Sequence, residues 1–266
     1  MPIEKILFVG CGNMAGAMLE GWLAKGVPPG IFTIFDPKPR SYAAGVTALT
    51  AMPREGQFDA ILVGIKPQIL GDVAPSIEPL AGPGTVVLSI LAGVQLDTLM
   101  TRFPRAAGAV RIMPNLSVAI GKSPVGLAAT GLDQTQQDEL QAFMAPLGTA
   151  EWIAEADFDL FTALAGSGPA FVYRFIAALA RGARELGLDG DQAMRIATAM
   201  VEGASALASA SPDDPGVLAD KVASPGGTTR AGLDILDEGD AIGRLMERTL
   251  RAARDRSVEM AVEARN

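Results

Sequence analysis

The sequence predicts an α/β domain on a doubly wound, mainly parallel sheet over residues 1–154, followed by an all-α domain over residues 155–266. Up to about residue 154, short β-branched runs alternate with helical patterns, which is how successive βαβ units read. Several of those runs are continuously apolar rather than alternating, as expected of strands covered on both faces. Beyond Ala156 strand character fades and apolar residues recur at helical spacing instead.

The first strand, Lys5–Val9, runs into Gly10-Cys11-Gly12-Asn13-Met14-Ala15, a glycine turn that opens a helix. Gly26-Val27-Pro28-Pro29-Gly30 ends that helix, and Ile31–Phe35 is the second strand. Ala60–Ile65, Thr85–Ile90 and Ala109–Ile112 follow, then Val125–Ala129 and Glu151–Ile153, with Gly82-Pro83-Gly84 and Pro104 as turns between elements. In the second half, Asp157 to Leu164 makes one helical run. Pro169 to Leu186 makes a longer one, with Pro169 at a first helical position and Gly187 at the stop. Asp191 is the expected cap of a third helix reaching about Ala210, and Ser211-Pro212-Asp213-Asp214-Pro215 is a break. A helix over Arg230–Asp237 and a last one from Ala241 to near the end complete the set. The last carries Ile242, Met246, Leu250 and Ala253 on one stripe and the pairs Glu247/Arg251 and Arg251/Asp255 on its surface. Ala-rich stretches such as Ala177–Ala183 suit close helix contact between subunits.

Composition narrows the chemistry. Among 266 residues there is no histidine and a single cysteine, Cys11. That removes Ser-His-Asp and Cys-His nucleophiles, imidazole proton shuttles and His-ligated metal, and with them disulfides within the chain and iron–sulfur clusters. Cofactor, hydroxyl, carboxylate, amide and lysine chemistry remain. A hydrophobic share of 49% is ample for a packed core, and the net charge of -8 offers no basic footprint for nucleic acid or an anionic membrane. The uncharged stretch Pro79 to Leu96 is interrupted by prolines and glycines and does not read as a membrane span, and Met-Pro-Ile-Glu-Lys lacks a signal-peptide layout, so a cytoplasmic location is expected.

The glycine turn matches G-x-G-x-x-A between a predicted strand and helix, the context that gives this motif meaning. Its first glycine makes the tight turn, its second lets a pyrophosphate approach the backbone, and Ala15 and Gly16 let helix and strand pack. Gly10, Cys11, Gly12, Asn13 and Met14 are therefore candidate cofactor contacts in a Rossmann-type domain. Cys11 reads as a small spacer with nothing cationic beside it in sequence. Asp36, at the end of the second strand, suits a ribose 2′-hydroxyl and NAD(H), whereas Lys38 and Arg40 suit the 2′-phosphate of NADP(H); both cofactors stay open. Ligands gather at the carboxyl ends of strands in such sheets, so Lys66-Pro67 and Leu91-Ala92-Gly93 should line the nicotinamide side, with Asn115 orienting cofactor or backbone. Ser224-Pro225-Gly226-Gly227-Thr228-Thr229 opens the Arg230–Asp237 helix with glycine amides and hydroxyls, a receptor for carboxylate or phosphate or simply a capped helix.

Five ordered segments make the chain resemble the pyrroline-5-carboxylate reductase family: Val9–Ala15, Ile65-Lys66-Pro67, Arg111–Asn115, Ala163–Ala170 and Ser224–Leu233. The resemblance implies an N-terminal dinucleotide-binding domain and a helical substrate-binding domain that intertwines with its mate in a homodimer, often built into a ring of dimers. It implies an active site between domains and across that dimer. It assigns Gly10 to Met14, Val63, Gly64, Ile65, Lys66, Pro67, Leu91, Ala92 and Gly93 to the NAD(P)H cofactor. Ser224 and the amides of Gly226, Gly227 and Thr228 fall to the substrate carboxylate, and Thr229 to the ring nitrogen. The implied reaction is hydride transfer to the imine carbon of L-1-pyrroline-5-carboxylate, giving L-proline. Two departures stand out: Leu116-Ser117 replaces the family's Thr-Pro, and Asp213 stands where its loop commonly has glutamate. A related imine or 2-hydroxyacid reductase is the alternative enzyme, although the Pro169–Leu186 helix lacks the lysine the hydroxyacid enzymes use; a dinucleotide-binding regulator without catalysis is the alternative from another class.

Overall fold

A computed structural model describes residues 2–263. The chain forms two compact units. One runs to Ser167 and regains the chain from Ala252 onward, and the other is Gly168–Arg251.

The first unit is built on strands β1 (Ile6–Val9), β2 (Phe32–Phe35), β3 (Thr47–Leu49), β4 (Ala60–Val63), β5 (Val86–Ser89), β6 (Gly108–Met113), β7 (Ser123–Thr130) and β8 (Gly148–Trp152). They form one sheet in the order β3-β2-β1-β4-β5-β6-β7-β8, parallel throughout except for the β6–β7 pair. The chain winds one way from β1 to β3 and the other way from β4 onward, so the topological switch lies between β1 and β4, where this architecture opens its ligand crevice. Helices α1 (Asn13–Ala24), α2 (Leu70–Ile77), α3 (Leu96–Arg102) and α4 (Gln134–Met144) cover the sheet, followed by the one-turn α5 (Phe158–Phe161).

The continuous apolar runs are explained by burial on both faces. Ile6 and Phe8 join one core cluster with Met18, Trp22 and Phe32, while Leu7 and Val9 join another with Leu70, Leu99 and Phe103. Strand β3 is absent from the sequence expectation because three partly exposed residues at a sheet edge carry no readable period. The expected single run from Asp157 to Leu164 is also corrected: after α5 the backbone widens into a π-turn over Thr162–Gly166.

The second unit comprises α6 (Gly168–Glu185), α7 (Gly190–Ala210), α8 (Pro215–Lys221), α9 (Thr228–Asp237) and the start of α10 (Ala241–Glu263). Gly187, at φ +110, ends α6 as expected. The cap of α7 is Asp189 and not Asp191, its carboxylate accepting the Gln192 N–H at 2.9 Å, because the chain re-enters a helix within a few residues of that glycine. On α10 the Glu247–Arg251 pair forms, whereas Asp255 pairs with Arg254.

This unit hides very little apolar surface. The α6–α7 packing buries Ala180, Ala193 and Ala197, small residues that let the helices approach closely. Tyr173, Ile196, Met200 and Leu207 remain 64%, 51%, 47% and 62% exposed, large apolar side chains left open on α6 and α7.

Candidate functional site

The proposed cofactor contacts of the first unit share the carboxyl edge of its sheet. β1 ends at Val9 and turns at Gly10, whose φ of +85° a side chain would strain. β4 ends at Val63 and turns through Gly64, so Gly64 and Ile65 lie in the loop beyond the strand. A Cβ on Gly64 would stand 2.9 Å from the Gly10 carbonyl, so these two turns meet backbone to backbone at the switch between β1 and β4. Lys66 is exposed at the start of the short turn Pro67–Ile69. Leu91, Ala92 and Gly93 follow β5 on the same edge.

Helix α1 begins at Gly12 without any side-chain cap, and a Cβ on Gly12 would touch nothing within 4 Å. Its first amides and the positive end of its dipole are thus presented where a pyrophosphate would lie. Beside it is a cavity of about 240 Å³ lined by Gly10, Phe35, Pro37, Met52, Ile65, Ile69, Asp72, Val73 and Ser76. A mainly apolar slot with a few polar groups at its rim is the kind of surface that takes a flat heteroaromatic ring. The sequence did not single out Met52, Ile69 or Val73, since an apolar residue lining a slot reads like any core residue.

Both oxygens of Asp36 are turned to backbone amides, accepting from Cys11 N–H at 3.2 Å and Lys38 N–H at 2.9 Å. The expectation that nothing cationic attends Cys11 is corrected. Arg40 folds back over the start of α1 and brings Nη2 to 3.8 Å from the thiol sulfur, a meeting of residues 29 apart in sequence. Burial nevertheless pushes the thiol up from its ordinary value, outweighing the lowering by Arg40 and Tyr42, which keeps Cys11 a neutral spacer. Burial also pushes the neighbouring Tyr42 phenol up to about 12.

Asn115 resolves to a backbone role. Its Nδ2 donates to the Ala165 carbonyl at 2.9 Å and its Oδ1 accepts the Ser117 N–H at 2.9 Å, tying the end of β6 to the π-turn. Carbonyls in a π-turn lose regular helical partners, and this amide supplies one.

In the second unit, Ser224 to Thr229 form one continuous turn. Gly226 lies at φ +72°, the Gly227 N–H returns to the Ser224 carbonyl at 2.9 Å, and α9 starts at Thr228. The N-cap of α9 is Gly227, so no side chain caps this helix start. Elsewhere, helices that open on aspartate at Asp133, Asp189 and Asp214 are capped by that side chain. Ser224, Thr228 and Thr229 are exposed, and Arg230 is drawn aside onto Asp234, Asp237 and Asp220. Asp213 pairs with Lys221.

Two family models match separate stretches of the chain. Residues 155–260 match the family model described as pyrroline-5-carboxylate reductase dimerisation, and residues 5–93 match the one described as NADP oxidoreductase, coenzyme F420-dependent. The chain is 30% identical over 269 residues to pyrroline-5-carboxylate reductase of Pseudomonas aeruginosa, covering 98% of both chains. It is 33% identical over 259 residues to pyrroline-5-carboxylate reductase 2 of Bacillus subtilis, covering 93% of both. Among solved structures, the pyrroline-5-carboxylate reductase of Coxiella burnetii aligns with a TM-score of 0.90 at 27% identity, over 97% of this chain and 99% of that one.

Proposed function

The chain belongs to the pyrroline-5-carboxylate reductase family, and from that premise we propose that it reduces L-1-pyrroline-5-carboxylate to L-proline with NADPH or NADH, the last step of proline biosynthesis. The observation that carries the reading is the uncapped Ser224–Thr229 turn, a carboxylate receptor with a hydroxyl at its end, in a chain whose first helix is an uncapped pyrophosphate receptor. The residues present fit a dinucleotide: Gly12 leaves open space, α1 presents free amides, and the slot beside Gly10 suits the adenine. When bound, the reduced nicotinamide supplies the hydride.

The protein's own task is to hold and orient. Ser224 Oγ and the amides of Gly226, Gly227 and Thr228 clasp the substrate carboxylate. Thr229 Oγ1 hydrogen-bonds the ring nitrogen and steadies the amine as it forms. A cyclic iminium is already strongly electrophilic, so no imidazole is required, and bringing donor and acceptor to about 3–3.5 Å accounts for a large share of the acceleration. Oxidation of NADPH or NADH in the presence of the pyrroline substrate tests the assignment. Turnover on a hydroxyacid alone, or cofactor binding without turnover, would overturn it.

Asp36, held by two amides, and Arg40, poised over the glycine loop, together let the site accept either cofactor. Arg40→Ala should raise KM for NADPH about tenfold through the lost guanidinium–phosphate pair, with KM for NADH nearly unchanged. Parallel kinetics with the two cofactors measure this.

Substrate binding and dimerisation fall to residues 155–266, although the compact second unit is the narrower Gly168–Arg251 and the stretches on either side of it pack with the first unit. The run 155–185 is apolar and long enough to cross a membrane by length and composition, with 17% of its most apolar window buried within the chain. A second copy gives that surface its use: the homodimer covers the apolar faces of α6 and α7, and rings of dimers extend it. Ile196→Glu with Met200→Glu places two carboxylates on the exposed face of α7, and should shift size-exclusion elution to the monomer and abolish turnover while leaving helix content intact. The same reading puts the enzyme in the cytoplasm and gives it no nucleic-acid or membrane partner.

A further inference from the structure

We infer that the last turns of α10, residues 252–261, prop the loop on the nicotinamide side and set how tightly the reduced nicotinamide is held. This rests on the assignment of Leu91–Gly93 to the cofactor made above. The loop leaves β5 at the ligand-facing edge and is fastened at both ends. Leu91 N–H donates to Ser89 Oγ at 3.3 Å, and Leu96 N–H donates to Glu155 Oε1 at 2.8 Å. Its middle has a different support. Gly93 is left-handed at φ +78°, and a Cβ there would stand 2.9 Å from the Met260 carbonyl oxygen and 3.1 Å from the Ala261 nitrogen. Loop backbone lies directly on helix backbone, so no flexible side chain is present to absorb a shift of one relative to the other.

The helix is itself pinned. Ala261 is 4% exposed, and Ser257 Oγ donates to Asp159 Oδ1 at 2.7 Å. Asp159 lies on α5 next to Phe158, which shares a core cluster with Leu91, Val94 and Leu96. Across that ring, the buried Arg111 guanidinium stacks at 4.2 Å and pairs at 3.1 Å with Glu155, the same carboxylate that holds Leu96. Loop, α5, the end of β6 and the tail of α10 are therefore one packed body. Ser257, one turn before Met260 on the same helix, is a positioning residue for Gly93.

The test uses the full-length chain and two probes, NADH and ADP-ribose, which share the adenosine diphosphate portion and differ in the nicotinamide. Ser257→Ala should weaken NADH binding about fivefold by titration calorimetry, with ADP-ribose affinity and the KM for the pyrroline substrate unchanged. Ser257→Thr, which keeps the hydroxyl, should restore it. An equal loss for both probes would mean general loosening and would overturn the inference, as would unchanged NADH binding in a Ser257→Ala chain beside an active parent. A parent chain that binds NADH no better than ADP-ribose would overturn the cofactor assignment and this inference with it.

Discussion

A Gly12→Val chain is expected to melt within about 1 kcal/mol of the parent and to lose NADPH and NADH affinity by about 100-fold or more. The two halves of that result have separate causes. Gly12 has φ -71° and ψ -161°, backbone that any residue adopts, and its missing Cβ would meet nothing within 4 Å. Folding therefore has little need of glycine there beyond the modest difference between N-cap residues. The pyrophosphate needs it, because a branched side chain would fill the space through which phosphate oxygens reach the first amides of α1. Gly10 is the contrasting control. At φ +85°, with Ile65 Cγ2 at 3.0 Å and the Gly64 carbonyl at 3.1 Å from a would-be Cβ, its replacement by alanine should lower the melting temperature itself. Thermal melts and fluorescence titration with each cofactor distinguish the two variants, and retained cofactor binding in Gly12→Val would remove this loop from the site.

The second large effect is expected at Thr229. Thr229→Ala should lower kcat by about 10- to 100-fold with a small change in substrate KM, because on the proposed reading its hydroxyl bonds the ring nitrogen most strongly as the iminium becomes an amine and a lone pair forms there. Ser224→Ala should do the reverse, raising KM with kcat largely kept, since a carboxylate contact is the same before and after hydride transfer. Both side chains are exposed and Thr229 sits in the first turn of α9, so neither variant should unfold the chain. Thr229→Ser, retaining the hydroxyl, should recover most of the turnover. Steady-state kinetics over the pyrroline substrate decide it, and full activity in both alanine variants would move the site elsewhere.

Much of the fold was legible before any coordinates. The β1 turn at Gly10, the strands at Ala60 and Val86, the stop at Gly187 and the glycine–threonine turn before α9 are each written in residues within a few positions of one another. Periodicity, proline and glycine punctuation and motif spacing are short-range properties, and they were readable for that reason. The edge strand Thr47–Leu49 was too short to show a period. The π-turn after Phe161 was hidden because its residues are ordinary helix formers.

The sequence by itself determined that the chain carries a strand–glycine loop–helix unit for a dinucleotide, a second helix start rich in glycine and hydroxyl groups, and no histidine with which to do acid–base work. Only the tertiary structure decided which groups complete those elements. Arg40 lies over Cys11, Asn115 serves the Ala165 carbonyl, Met52 and Val73 wall the slot beside Gly10, and Gly93 rests on the backbone of Met260. Each of these joins residues far apart in the chain, and such partnerships exist only once loops have closed and side chains have packed, a collective outcome that no local pattern encodes.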